Sequence, residues 1–364
     1  MQWFGRKAAR ASARPSLTRG FAPVTAAGQW PRGYEAQVRD GYLANPVAQR
    51  AVRLVCESLG QTPIAASDPA MLRLLTAQSG GQGLLETVAA HLMLNGNGFV
   101  RLLTDPGGAL TELFALRPER VAVEADARGW PSTYLYRVGE ICERFDAAGP
   151  RPQIVHLKGF HPLDDHLGLG CLGAAAGAIA IHNAATRWNK ALLDNAARPS
   201  GALVADGPAP LSADQFDRLR GELETQFQGA GNAGRPLLLE GGLRWQAMSL
   251  SPADMDFVGL KAAAAREIAL AFGVPPMLLG LPGDATYANY REANRALWRL
   301  TILPLATKIL AGLTQALGGW WPDPVLRVEL DRIPELAEDR ERVWAMASQA
   351  DFLTAEEKRR VVGL

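Results

Sequence analysis

Within eleven residues the chain gathers His156, His161, Asp164, Asp165 and His166, side-chain types that bind zinc and other divalent ions. A metal held there could activate water, the chemistry of a metal-dependent hydrolase. The spacing works against it. Steps of five along a strand alternate faces, so His161 points away from His156 and His166, and Pro162 keeps one regular element from presenting all three. The expectation is a strand-end histidine followed by a solvated polar loop, with no metal. Asp254 and Asp256 could act as paired carboxylates, but beside a helix start they serve the helix dipole better. Trp298 and Trp320-Trp321-Pro322 could stack on bases; packing in a core or an interface is the simpler role. No GxxxxGK[ST], GxSxG or HExxH motif occurs. Neither catalytic residues nor a cofactor are expected, and nucleotide hydrolysis would have to be another protein's work.

The elements that position these residues belong to a chain of 364 residues, long enough for two or three domains and a large core. Hydrophobic residues make up 48% and charged residues 21%, the balance of a globular protein. The 38 basic and 37 acidic side chains leave a formal charge of +1, which argues against a broad basic face that clamps nucleic acid. Cys56, Cys142 and Cys171 are scattered and odd in number, so no disulfide framework is written here, and a reducing compartment is the default. The longest nearly apolar run, Leu167 to Ile181, falls short of the roughly 18 to 20 residues of a membrane span, so no membrane role is expected. Residues 1–29 carry Arg6, Lys7, Arg10, Arg14 and Arg19 without an acid and read as a disordered basic arm.

The first half reads as α+β. Asn45-Pro46 caps a core helix that ends at Gly60, and Leu84 to Leu94 forms another that stops at Asn95-Gly96-Asn97-Gly98. Strands are expected at Phe99–Leu102, Leu113–Leu116, Val121–Val123, Tyr134–Val138 and Ile154–Leu157. A long helix then runs from Leu172 to Ala197, with a short strand at Ala202–Ala205. Ser212 and Gln215 form a capping box for a helix to Phe227, and Pro236–Glu240 with Leu243–Met248 reads as a hairpin. Ser251-Pro252 opens a helix to about Phe272, which Gly273-Val274-Pro275-Pro276 breaks. A helix from Thr286 to Leu317 should kink at Pro304. Leu326–Leu330 reads as a returning strand, and Thr354 with Glu357 caps a last helix to Val362.

Several of these stretches resemble a known family. Asn195-Ala-Ala-Arg-Pro-Ser-Gly201, Asn232-Ala-Gly-Arg-Pro236, Leu239-Glu-Gly-Gly-Leu-Arg-Trp245, Ser249-Leu-Ser-Pro-Ala-Asp-Met-Asp256, Phe272-Gly-Val-Pro-Pro276 and Thr286-Tyr-Ala-Asn289 are similar to the portal proteins of long-tailed phages. The likeness is closest to the portals of alphaproteobacterial gene transfer agents. Leu94-Asn-Gly-Asn97, Leu116-Arg-Pro118 and Phe352-Leu-Thr-Ala-Glu-Glu357 extend it over nearly the whole chain.

The resemblance implies an α+β portal fold: a wing at 30–170, stem helices at 171–197 and 253–272, and a small α/β clip at 198–252. A tunnel loop at 273–286 would follow, then a kinked helix with the returning wing strand at 287–333 and a short or truncated helical crown at 334–364. It implies a ring, usually of twelve copies, at one capsid vertex of a phage-like particle, assembled in the cytoplasm. Partners would be other copies of the chain, weakly and non-specifically held double-stranded DNA, the large subunit of the terminase ATPase, the major capsid protein and a head-tail adaptor. Gly280, Pro282, Gly283, Asp284 and Thr286 of the tunnel loop would touch DNA. Arg187, Lys190, Lys261 and Arg266 of the stem would face the channel or pair between subunits, and Ser212, Phe216, Arg235 and Trp245 of the clip would meet partners.

Physics is compatible with that picture. Twelve helices packed about 8 to 10 Å apart enclose a bore of about 25 Å, which admits a duplex of roughly 20 Å. A near-neutral conduit also lets its cargo slide. The competing readings are the metal-dependent hydrolase and a monomeric DNA-binding adaptor that uses the basic arm.

Overall fold

The computed structural model describes residues 33–79, 81–146, 149–194, 201–205, 212, 214–218, 220–221, 243–247, 256–281 and 286–363. The chain divides into two compact units, one of Met1–Gly177 with Glu267–Leu364 and the other of Ala178–Arg266.

The first unit opens with α1 (Tyr34–Val38) and a π turn, Arg39–Leu43. Asn45 then starts α2 (Pro46–Gly60): its Oδ1 accepts from Val47 and Ala48 N–H at 3.1 and 3.0 Å, and Pro46 fills a position that needs no N–H. β1 (Ile64–Ala66) and α3 (Pro69–Thr76) follow, the latter capped by Asp68 on Ala70 N–H at 2.7 Å. The short pair β2 (Gln78–Ser79) and β3 (Gln82–Gly83) leads into α4 (Leu84–Asn95), which ends where Gly96 adopts φ +84. β4 (Asn97–Thr104), β5 (Leu110–Leu116), β6 (Val121–Ala125), β7 (Pro131–Val138), β8 (Ile141–Asp146) and β9 (Ile154–Lys158) make two antiparallel sheets, ordered β5-β4-β9 and β6-β7-β8. Phe99, Leu116, Tyr134, Phe145 and Ile154 form a buried cluster drawn from both sheets.

α5 (Cys171–Asp194) carries the chain into the second unit, where β10 (Gly201–Ala205) pairs antiparallel with β11 (Leu243–Ala247). The expected partner of β11, Pro236–Glu240, lies outside the described residues, as does the expected cap at Ser251. α6 (Phe257–Ala271) starts later than the sequence suggests. Asp256 sits at φ 40, outside helical space, and accepts Gly259 N–H at 3.1 Å, so Asp256 is itself the cap.

The chain re-enters the first unit at Glu267 within α6, and a 3-10 turn at Pro276–Leu279 and then α7 (Tyr287–Leu297) follow. The expected kink is a π turn at Trp298–Ile302, where Leu303 N–H reaches back to the Trp298 carbonyl before α8 (Leu303–Leu317) begins. Pro304 offers no N–H, and in a straight helix its ring would crowd the Leu300 carbonyl; the widened turn before it relieves that contact. The 31-residue stretch Tyr287–Leu317 is long and apolar enough to cross a membrane. Its α8 half instead buries Ile309, Leu310, Leu313 and Leu317 in the unit's core beside α4, β9 and β12 (Leu326–Val328). Each such side chain contributes about 1.5 to 3 kcal/mol when fully removed from water. β12 pairs with β1, joining residues far apart in sequence. α9 (Ala337–Gln349) and α10 (Ala355–Val362) finish the unit, the latter with the Thr354–Glu357 capping box in place.

Candidate functional site

The histidine-rich stretch folds as a strap. His156 lies on β9 under the ring of Phe99, centroids 4.2 Å apart. Its Nε2–H donates to Asn97 Oδ1 at 2.9 Å and its Nδ1 accepts from the Tyr134 hydroxyl at 3.3 Å, so both ring nitrogens are engaged. Burial first, then the nearby Lys158 and His166, push its pKa down to about 3, which keeps the ring neutral. His166 donates Nε2–H to the Gly129 carbonyl at 2.6 Å, and His161 accepts Leu163 N–H at 3.1 Å. Asp164 caps the N–H groups of His166 and Leu167, and Lys158 donates to the Asp165 carbonyl. The three histidines thus each serve a separate local bond. Among the described residues no three His, Cys, Asp or Glu side chains converge on a point.

Around the loop between α6 and α7, Gly273 takes φ +65 and its carbonyl accepts the Thr301 hydroxyl at 2.6 Å, tying the break after α6 to the π turn. Gly280, at φ +73 with open space around it, ends the 3-10 turn. Thr286 caps α7 by accepting Asn289 N–H at 3.2 Å. Pro282, Gly283 and Asp284 lie outside the described residues. α7 exposes Tyr287 and Tyr290 and buries only Leu297. What holds it to the unit is charge: Arg291 and Arg295 meet Glu338 at 2.9 and 2.5 Å, Arg295 also meets Glu292 at 2.9 Å, and Arg295 and Arg299 both approach Asp339 at 3.8 Å. Glu338 and Asp339 occupy the first turn of α9, where the helix dipole favours acids. The hydrogen bond from Arg295, then the field of Arg291, holds the Glu338 carboxyl below its ordinary pKa.

In the second unit, Trp188 of α5 stacks on Phe257 of α6, centroids 4.1 Å apart and planes 12° from parallel. His182 is buried, and burial followed by the Lys261 charge lowers its pKa. Of the four cations on α5 and α6 that the resemblance singled out, Lys190 pairs along its own helix with Asp194 at 2.6 Å, Arg187 and Arg266 are exposed, and Lys261 is half-buried. Ser212 and Gln215 exchange both bonds of the capping box, at 3.0 and 3.3 Å, and Phe216 just beyond is 58% exposed. Trp245 lies in β11 opposite Leu203, while Arg235 is outside the described residues.

The paired tryptophans pack rather than stack on a ligand. Trp320 donates to the Gly108 carbonyl at 2.9 Å under the Arg151 guanidinium, and Trp321 donates to Asp68 Oδ2 at 3.0 Å. Sequence reading missed the arginine ladder, although Arg291, Arg295 and Arg299 recur every four residues on one helical face and Glu338-Asp339 follows a proline-opened turn. It also read Asn95-Gly96-Asn97 as a turn and passed over the role of Asn97.

A sheet-and-helix unit, long helices on either side of a second unit in the chain, and an interrupted helix after a Gly-Pro loop define the class. The phage portal protein family matches residues 46–363, and the chain belongs to that family. It is a portal protein, and its fold matches a chain in the neck of a native gene transfer agent particle computed with C12 symmetry. That match has a TM-score of 0.70 and 47% identity, and covers 99% of this chain and 98% of the other. A protein of Rickettsia felis is 38% identical over 345 residues, covering 89% of this chain and 88% of its own length. The probable portal protein of Streptomyces phage phiC31 is 25% identical over 337 residues, covering 85% of this chain and 72% of its own.

Proposed function

We propose that copies of this chain form the ring at one vertex of a gene transfer agent or prophage-like capsid, and that double-stranded DNA passes through its centre. The observation that carries this is the full-length similarity to a chain in a particle neck of twelvefold symmetry. In this reading the chain is a conduit and not an enzyme. A separate terminase ATPase drives the DNA, the major capsid protein surrounds the ring, and a head-tail adaptor follows the motor on the same face. The ring assembles in the cytoplasm and ends in the particle. A formal charge of +1 suits weak, sequence-independent contact with a sliding duplex.

The anatomy then follows the elements. Residues 30–170 with the β12 return are the wing, α5 and α6 the stem, and 198–252 the clip that meets partners through Ser212, Phe216, Arg235 and Trp245. Residues 273–286 are the tunnel loop, with Gly280, Pro282, Gly283, Asp284 and Thr286 nearest the DNA, and 334–364 the crown. Arg187, Lys261 and Arg266 face the channel or the next copy, and Lys190 is shared with Asp194. Negatively stained top views of the purified protein are the test: twelvefold rings with a central hole are expected, and particles of any size without a hole overturn the reading. Deleting Leu281–Ala285 should leave rings intact and lower the DNA content of particles; unchanged content removes the loop's role.

A further inference from the structure

Just before α5 three pieces of backbone cross at distances that exclude a side chain. A Cβ on Gly96 would strike the backbone of Leu169 and Gly170, and one on Gly168 would strike the Gly96 carbonyl. One on Gly159 would lie 2.8 Å from the Leu169 carbonyl, and one on Gly170 would lie 2.6 Å from the Leu94 carbonyl. Gly159 N–H bonds to the Gly96 carbonyl at 2.8 Å. Asn97, 3% exposed, sits at the centre. Its Oδ1 accepts from Gly168 N–H at 2.6 Å and from His156 Nε2–H at 2.9 Å. Its Nδ2 donates to the Gly168 carbonyl at 3.2 Å and to Asn95 Oδ1 at 2.9 Å. That uses the full capacity of a side-chain amide, and the only other side chain with two acceptor and two donor sites in one plane, glutamine, is a methylene longer. Beyond the crossing, α5 begins within three residues.

We propose that Asn97 is a positioning residue: through this glycine crossing it seats the root of α5 against the β5-β4-β9 sheet and thereby sets how many copies close the ring. The proposal rests on the ring reading above. Identical copies joined head to tail close only when the rotation between neighbours matches the count, and twelve copies turn by about 30° each against about 33° for eleven and about 28° for thirteen. A change of two or three degrees in the rotation between neighbours is therefore enough to change the count, and in this proposal a root held by backbone contacts and four hydrogen bonds keeps α5 from contributing it.

The variants are Asn97→Asp, which keeps both acceptors and loses both donors, Asn97→Ala, and His156→Gln, which keeps a donor toward Asn97. Each full-length protein is assembled and its subunit number read by native mass spectrometry, with backbone hydrogen exchange followed in the same samples. Asn97→Asp and Asn97→Ala are expected to spread the ring over neighbouring counts and to speed exchange at Gly168 and residues 171–175 about tenfold, with β4 and β5 amides unchanged. His156→Gln should keep one count and slow exchange. Unchanged counts and rates in both Asn97 variants overturn the proposal, as does exchange that quickens equally in β4 and β5. Should Asn97→Ala fail to fold, Asn97→Asp decides alone. Should the wild-type chain form no ring, the reading of function fails, while local exchange at the α5 root still tests the seat.

Discussion

Two helices that begin in the first unit are secured in opposite ways. The root of α5 is clasped by buried backbone, four glycines and an amide with every bond made, whereas α7 is held by arginines on the rim of α9 and buries little but Leu297. Close-packed contacts have a steep, short-range energy and admit one position. Ion pairs near water have a shallow, long-range one and tolerate small displacements. A fixed root and an adjustable arm are thus built from different interactions, and the adjustable arm is the one that follows the 273–286 loop.

The comparison breaks most sharply at Gly168. Gly168→Ala drives a methyl into the Gly96 carbonyl, backbone that cannot yield, and should lower stability by about 3 kcal/mol, read as the urea midpoint. His156→Leu comes next: it orphans the Tyr134 hydroxyl and one Asn97 bond, a loss of about 1 to 3 kcal/mol in the same measurement. Acid sharpens the same contrast. His156 stays neutral in the fold down to about pH 3, while the unfolded chain takes up that proton near 6.5. Its contribution is therefore complete above pH 6.5 and declines as pH falls toward 3. Against His156→Gln, the wild-type chain should lose up to about 1.4 kcal/mol per pH unit in that window.

On the α7 side, salt is the discriminating variable. Screening shortens from roughly 10 Å at 0.1 M to about 3 Å at 1 M, so Arg291→Ala, at the solvent side of the ladder, should speed hydrogen exchange in α7 at low salt and differ little from wild type at high salt. The clasp variants should keep their effect at both concentrations. The smallest effect is expected at Lys190→Ala, which removes an exposed pair with Asp194 and should shift the urea midpoint by less than about 0.5 kcal/mol.

Local chemistry was legible in the sequence. Asn45, Ser212, Thr286 and Thr354 all cap the helices that the sequence starts at them, because a cap needs only the next two or three residues. The portal family was legible as well, through motifs in order along the chain. What escaped depends on distant partners. β1 has three residues and exists because β12 pairs with it, and β8 shows no alternation because only Phe145 among its residues is buried. Gly96 reads as ordinary turn punctuation, and Gly168 and Gly170 as part of an apolar run, until the fold brings them together with Gly159. The π turn was seen only as a proline kink, since its width answers to the packing of α8. The metal-like cluster shows the reverse case, in which residue types suggested convergence and the strap sends each histidine to a different neighbour.

The widened turn at Trp298–Ile302 amounts to a spare residue stored inside a helix. Remove exposed Leu300 and replace Pro304 with alanine, and the coil can tighten to ordinary pitch while Arg291 and Arg295 still look toward Glu338 and Ile309 still looks inward. With that proline gone, the chain can differ in length by one at that point without re-cutting the interior on one side or the charged seam on the other.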